Sequence, residues 1–189
     1  MISAKLGRIL DRPLGPLGKK IPLSPNVLTV TGFLVTSAAA VSIPFNLMAG
    51  GLLMLLGGVF DMLDGLVARA NNKSSLFGAF LDSTLDRYSD AFLFLALTWY
   101  FLERNDPAGA FLTLGGLVGA LLTSYVRARA EGISIPCAVG LMERPERVVL
   151  LALGCITGRP FPFMAVLFVF SHLTVMQRIF HVYRSVLQR

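Results

Sequence analysis

Asp61, Asp64, Asp82 and Asp86, with Arg69 nearby, stand among residues that otherwise read as apolar membrane helix. Ionisable groups at membrane depth are costly, and they mark functional sites by default. Asp61 and Asp64 share a helical face at i, i+3, and Asp82 and Asp86 share another at i, i+4. The polar break Asn71-Asn72-Lys73-Ser74-Ser75 is short enough to make the two helices antiparallel neighbours. From the middle of that break Asp64 lies about eight residues back and Asp82 about nine forward, so at ~1.5 Å per residue they reach matching heights. Asp61 and Asp86 match one turn further on. Four facing carboxylates repel unless a cation sits among them, and a hard ion such as Mg²⁺ (or Mn²⁺) takes oxygen ligands and shares its shell with phosphate.

The chemistry implied is metal-assisted work on a phosphate. Asp61, Asp64 and Asp82 read as metal ligands, and Asp86 as either a further ligand or a general base. Two ions ~3.5–4 Å apart suit a four-carboxylate set. Gly65 and Gly78 admit either a ligand close to the backbone or a tight helix contact. Arg69 reads either as a phosphate ligand or as an arginine snorkelling from a helix end. Asp90 continues the i, i+4 series and is read as facing the bundle interior.

The elements that position these groups follow from composition. The chain has 189 residues, 54% of them hydrophobic and 15% charged, with a mean hydropathy of +0.69. The expectation is an all-α polytopic membrane protein of one domain over 1–189, with six transmembrane helices. Residues 1–20 are expected to form a juxtamembrane amphipathic segment. Its helix over 2–12 sets Ile2, Leu6, Ile9 and Leu10 beside Lys5, Arg8 and Arg12, and lies in the membrane interface. These first residues hold no continuous apolar core, so no secretory signal is expected. The spans are placed at 25–48, 50–70, 75–103, 107–131, 145–158 and 161–186, the fifth being short for a bilayer. Ser24-Pro25 and Asp106-Pro107 read as helix starts, each a capping side chain followed by proline at the first turn. Cys137 and Cys155 offer neither a disulfide framework nor metal spacing.

Six spans put both termini on one side. All but Arg104 and Arg159 of the 17 Lys and Arg then lie at or near the inner ends, which makes the termini and the 71–75 and 132–144 loops cytoplasmic. The acidic cluster therefore faces the cytoplasm, in the inner membrane of a prokaryote. Anionic lipid accounts for the net charge of +6, and nothing calls for nucleic acid.

Asp61-x-x-Asp64-Gly65-x-x-Ala68-Arg69, eight residues, Gly78-x-x-x-Asp82-x-x-x-Asp86 resembles, at every fixed position, the signature of the CDP-alcohol phosphatidyltransferases. The resemblance implies transfer of a phosphatidyl group from CDP-diacylglycerol, or a CDP-ether lipid, to an alcohol with release of CMP. It implies metal binding by Asp61, Asp64, Asp82 and Asp86, with Asp86 as base. The implied nucleotide contacts are Asp61, Gly65, Ala68, Arg69, Gly78 and Asp82, with Asn26 and Thr29 from the Pro25-Asn26-x-x-Thr29 helix start. It also implies a homodimer.

Arg127, Arg129, Arg144, Arg147 and Arg178 gather at inner helix ends, where together they suit a dianionic phosphate. Ser124-Tyr125-x-Arg127-Ala128-Arg129-Ala130-Glu131, Glu143-Arg144-Pro145-Glu146-Arg147 and Gln177-Arg178 resemble the phosphatidylinositol-phosphate and archaetidylinositol-phosphate synthase branch. That likeness implies an acceptor-phosphate pocket of Ser124, Arg127, Arg144, Arg147 and Arg178, and inositol phosphate as acceptor. Arg127 departs from the lysine common in that branch, which alters the phosphate geometry. Glycerol 3-phosphate would use the same pocket; serine, ethanolamine and choline carry no phosphate to fill it. Outside the class, the carboxylates would suit a cation or proton transporter.

Overall fold

The computed structural model describes residues 16 and 18–188. The interfacial helix expected over 2–12 lies outside them, although residues 18–20 are helical. From Pro25 onward the described residues form six helices and no strand: α1 (Pro25–Ser42), α2 (Leu47–Ala70), α3 (Leu76–Glu103), α4 (Pro107–Gly132), α5 (Arg144–Ile156) and α6 (Pro160–Leu187).

Local chemistry sets the boundaries. The Ser24 side chain accepts from the Val27 N–H and Asp106 from the Gly109 N–H, each with proline in the first turn, as the sequence led one to expect. Ser75 caps α3 by accepting from Gly78 N–H at 3.0 Å. One boundary differs from expectation. The first helix stops at Ser42 rather than 48, because Pro44 has no N–H to continue it and Asn46 caps the next helix by accepting from Ala49 N–H at 3.0 Å. The second helix consequently starts at Leu47 instead of 50.

Each helix packs chiefly on two others, closing a ring in the order α1, α2, α5, α6, α4, α3. Small residues set the closest approaches. A Cβ on Gly32 of α1 would lie 3.1 Å from the Phe60 Cβ of α2, and one on Gly51 of α2 would lie 2.9 Å from the Ala152 carbonyl oxygen of α5. Consecutive α2 and α3 do not pack along their lengths as the short loop suggested. They face one another across a cleft, with α1 packed against both.

The ring is apolar at one end and polar at the other. Ala39, Ile43, Met54, Phe94, Leu97, Leu151, Cys155, Met164 and Leu167 form a buried cluster at the end remote from the 71–75 loop. Toward the loop end the interior holds Asp64, Asp90, Thr123, Arg147 and Arg178, all buried. Outward faces carry exposed apolar side chains such as Leu34, Leu52, Leu95, Phe111 and Val169. An apolar exterior around a polar interior suits lipid surroundings. α1, α2, α4 and α6 are long and apolar enough to cross a membrane. α3 has 28 residues but carries the charged residues Asp82, Asp86, Arg87 and Asp90 along it, and α5 has only 13 residues.

The α2–α5 contact gives the first prediction. Gly51→Ala should destabilise the protein by about 1–3 kcal/mol, because the new methyl would lie 2.8 Å from the Ile156 side chain and 2.9 Å from the Ala152 carbonyl oxygen, which is backbone and cannot swing aside. Thermal unfolding in detergent, compared with Gly132→Ala, where a Cβ meets nothing within 4 Å, measures it.

Candidate active site

Asp61 and Asp64 project from α2 and Asp82 from α3 into the cleft, and one carboxylate oxygen from each lies within 4.8 Å of the others. Three oxygen donors so close together repel, and they suit one hard divalent cation. The donor set fits such an ion in charge, atom type and spacing. Asp64 is buried and accepts a 2.6 Å hydrogen bond from the Thr29 hydroxyl of α1, which orients its carboxylate.

Asp86 stands apart from that trio, one turn along α3. Its Oδ1 lies 2.9 Å from Arg144 Nη1 and its Oδ2 lies 3.3 Å from Arg87 Nη1. The same Arg144 Nη1 also pairs with Asp61 Oδ2. The Arg144 guanidinium, from the first turn of α5, therefore bridges the two helices that carry the acidic motif. A further turn inward, Asp90 and Arg147 form a buried pair at 2.8 Å.

Beside the trio lies a cavity of about 140 Å³ lined by Pro25, Asn26, Thr29, Asp64, Gly65, Ala68, Lys73, Ser74, Ser75, Gly78, Ala79 and Asp82. Six of the eight residues that the sequence assigned to the nucleotide, all but Asp61 and Arg69, are thus in one place. Gly78 is needed here, since a Cβ on it would lie 3.0 Å from Asn26 Oδ1 and 2.9 Å from Ser75 Oγ. Arg69 folds back so that a Cβ on Gly65 would sit 2.9 Å from its Nη1. Lys73, Ser74 and Ser75, which the sequence marks only as a polar break, supply a cation and hydroxyls to the cavity wall.

The residues assigned to the acceptor phosphate divide. Arg127 pairs with Glu131 at 2.9 Å, and its Nη1 lies 3.7 Å from Glu143 Oε1, the oxygen that Arg178 Nη2 also approaches at 3.7 Å. Arg127, Arg178 and Arg144 thus gather around the start of α5. Arg178 is buried and chiefly holds backbone: Nε donates to Val139 O at 2.8 Å and Nη1 to Thr123 O at 2.5 Å. Thr174 accepts from the Leu141 and Met142 N–H groups, and Gly140, at φ +136°, lets this loop pass close to Thr174 and Arg178. Arg147 is inside the bundle with Asp90 rather than with the other arginines. Ser124 lines a separate cavity of about 570 Å³ between α3 and α4, together with Arg87, Tyr88 and Tyr125. Sequence reasoning missed Arg87, whose only signal was its place beside Asp86.

Comparison with known proteins bears on this geometry. A family model described as CDP-alcohol phosphatidyltransferase matches residues 22–188. The archaetidylinositol phosphate synthase of Methanothermobacter thermautotrophicus is 37% identical over 183 residues, covering 93% of this chain and 91% of the relative. The phosphatidylinositol phosphate synthase of Corynebacterium glutamicum is 37% identical over 164 residues, covering 84% and 75%. The crystal structure of Mycobacterium tuberculosis phosphatidylinositol phosphate synthase with CDP-DAG bound superposes with a TM-score of 0.79 at 32% identity, covering 95% of this chain and 94% of that one. The same enzyme in complex with manganese and citrate gives 0.77 at 34% identity, covering 94% and 88%.

Thr29→Val keeps the shape of α1 but leaves Asp64 without its hydroxyl donor. Loss of such an orienting partner is expected to weaken Mn²⁺ binding by about 10–100-fold. Electron paramagnetic resonance of free Mn²⁺ during titration reads this directly; an unchanged affinity would show that Asp64 is oriented by other means.

Proposed function

The chain belongs to the CDP-alcohol phosphatidyltransferase family, and from that premise we propose that it transfers a phosphatidyl group from CDP-diacylglycerol, or a CDP-ether lipid, to inositol phosphate. The products are phosphatidylinositol phosphate and CMP. The observation that carries the reading is the convergence of the acidic trio, the adjoining cavity and the arginines around the start of α5.

In this reading Asp61, Asp64 and Asp82 hold a divalent cation, Mg²⁺ or Mn²⁺, and Asp86 serves a second one or acts as base. A cation bound there supplies Lewis-acid neutralisation of the charge that develops on the departing CMP oxygen. The cavity residues do the rest of the donor's binding. Asn26, Thr29, Gly65, Ala68 and Gly78 admit the nucleotide against backbone, while Arg69 and Lys73 offer positive charge to its diphosphate. The acceptor phosphate is met by Arg127 and Arg144. Arg178 and Arg147 fix the 133–143 loop and the start of α5 that present them. Ser124 lines the neighbouring cavity between α3 and α4 with Arg87, and in this reading it approaches the acceptor only from that side.

Asp86 takes the proton of the attacking inositol hydroxyl. That oxygen bonds to the lipid phosphorus, the bond from this phosphorus to the bridging oxygen breaks, and CMP leaves with the bridging oxygen. We favour this one-step attack, which inverts configuration at phosphorus; a covalent lipid–enzyme intermediate would retain it. Arg144 and Arg87 each engage one oxygen of Asp86 in the structure, which leaves a lone pair on each oxygen open to the acceptor's proton.

The proposal extends to a single domain, six membrane spans with α3 and α5 completing the set, an active site on the cytoplasmic side, and a homodimer. The Lys and Arg distribution supports the orientation, and family likeness supports the dimer. An ion pathway is set aside, since the chain is a transferase. Glycerol 3-phosphate remains the acceptor that the same arginines would serve.

Purified protein should release CMP from CDP-diacylglycerol with inositol phosphate, and not with glycerol 3-phosphate, serine or no acceptor. Turnover with a different alcohol would keep the donor chemistry and overturn the acceptor assignment. Asp86→Asn should lower kcat by about 10²–10⁴-fold, the usual contribution of a general base. Arg127→Gln should raise KM for inositol phosphate about tenfold or more, the loss of one charge-assisted hydrogen bond, while KM for the lipid donor stays unchanged.

A further inference from the structure

Asp90 takes part in none of the steps above, yet it is placed as if it belonged to them. It lies one turn from Asp86 on α3 and is buried. Its Oδ2 is held by Arg147 Nη2 at 2.8 Å, which fixes the carboxylate in space. Its Oδ1 is buried without a hydrogen-bond partner, and so is Nε of Arg144, and these two atoms are 3.9 Å apart. Two complementary buried groups left unmade are costly, and native structures leave few of them. A shift of about 1 Å in the Arg144 side chain brings them to hydrogen-bonding distance.

Arg144 meanwhile holds its Nη1 on Asp61 and Asp86. Asp61 is one of the three residues whose oxygens converge for a divalent cation. A divalent cation and a guanidinium compete for the same carboxylate, and an arginine displaced within the bundle needs another anion, since a buried charge left unpaired is strongly destabilising. Its Nε faces one oxygen of Asp90 at 3.9 Å.

We propose that Asp90 is a positioning residue that receives Arg144 through Nε when a divalent cation takes Asp61, Asp64 and Asp82. Arg144 thus has two stations. At the outer one its Nη1 neutralises Asp61 and Asp86. At the inner one Asp90 holds Nε, Asp86 is freed for the acceptor hydroxyl, and both Nη groups face the acceptor phosphate. Cation binding and presentation of Arg144 to the acceptor become one event. This deepens the reading given under Proposed function and rests on its assignment of the aspartates to a cation.

The test is Mn²⁺ titration, followed by electron paramagnetic resonance, of the full chain in lipid nanodiscs with no substrate. Arg144→Gln removes the internal competitor and should tighten Mn²⁺ binding about tenfold. Asp90→Asn removes the inner station and should weaken it about fivefold. The double variant should match Arg144→Gln alone, because Asp90 acts only through Arg144. Since Asp90→Asn strands Arg147, the pair Asp90→Asn with Arg147→Met is measured beside it and should weaken Mn²⁺ binding equally. Equal affinities for wild type and both Asp90 variants would overturn the proposal. So would a weakening that persists in the Arg144→Gln background, since Asp90 would then act on the ion directly. Absence of Mn²⁺ binding by the wild type would overturn the cation assignment itself, a result distinct from either.

Discussion

Carboxylates inside an apolar ring of helices require compensating positive charge, and most of the architecture around the cleft is shaped by that requirement. Asp61, Asp86 and Asp90 are met by Arg144 and Arg147, both from the first turn of α5. Breaking a buried pair on one side only costs about 3–5 kcal/mol, so α5 is held in register with α2 and α3 by charge as well as by packing. Its short length follows from the same demand. The helix begins where the arginines must stand and ends once Leu151, Ala152 and Cys155 have entered the apolar end of the ring.

Precision at the start of α5 comes from α6. Arg178, Thr174 and His181 bind the backbone of the 133–143 loop, the last through a ring nitrogen 2.9 Å from Pro136 O. A loop tied by side chain to backbone bonds keeps its path when surface residues change. The adjacent Glu143 and Arg144 therefore emerge at defined points, the first between Arg127 and Arg178, the second between Asp61 and Asp86. Fixed groups of both signs a few ångströms apart form an environment that is already oriented before a charged substrate arrives.

What could be read from the sequence was what repeats locally. Carboxylate spacing of three and four residues gave one face on each helix, and distance from the 71–75 loop gave matching heights. Capping residues gave the starts of α1 and α4, and α1 was overrun only because Pro44 and Asn46 lay inside a largely apolar stretch. Pairings across long separations left no local trace. Arg144 reaches Asp61 over 83 positions and Arg147 reaches Asp90 over 57, and the i, i+4 series alone could not tell Asp90's buried partner from Asp86's more open one. Arg178 resembled a phosphate ligand by type, whereas two of its donor nitrogens are engaged by carbonyls that only the folded loop brings near.

The order of the ring has a consequence for how the chain is made. The acids lie on α2 and α3, and the arginines that pair with Asp61 and Asp90 lie on α5, so those two carboxylates are synthesised before their partners. Between the emergence of Asp90 and that of Arg147 the ribosome adds two further apolar helix segments. During that interval Asp61 and Asp90 lack the arginines they later pair with, and they stay hydrated or draw cations from solution. Closure of α5 against α2 and α3 then brings Arg144 and Arg147 to these carboxylates. The motif that serves the mature protein thus also sets the sequence of its assembly, with salt and divalent ions in the surroundings able to alter the waiting state.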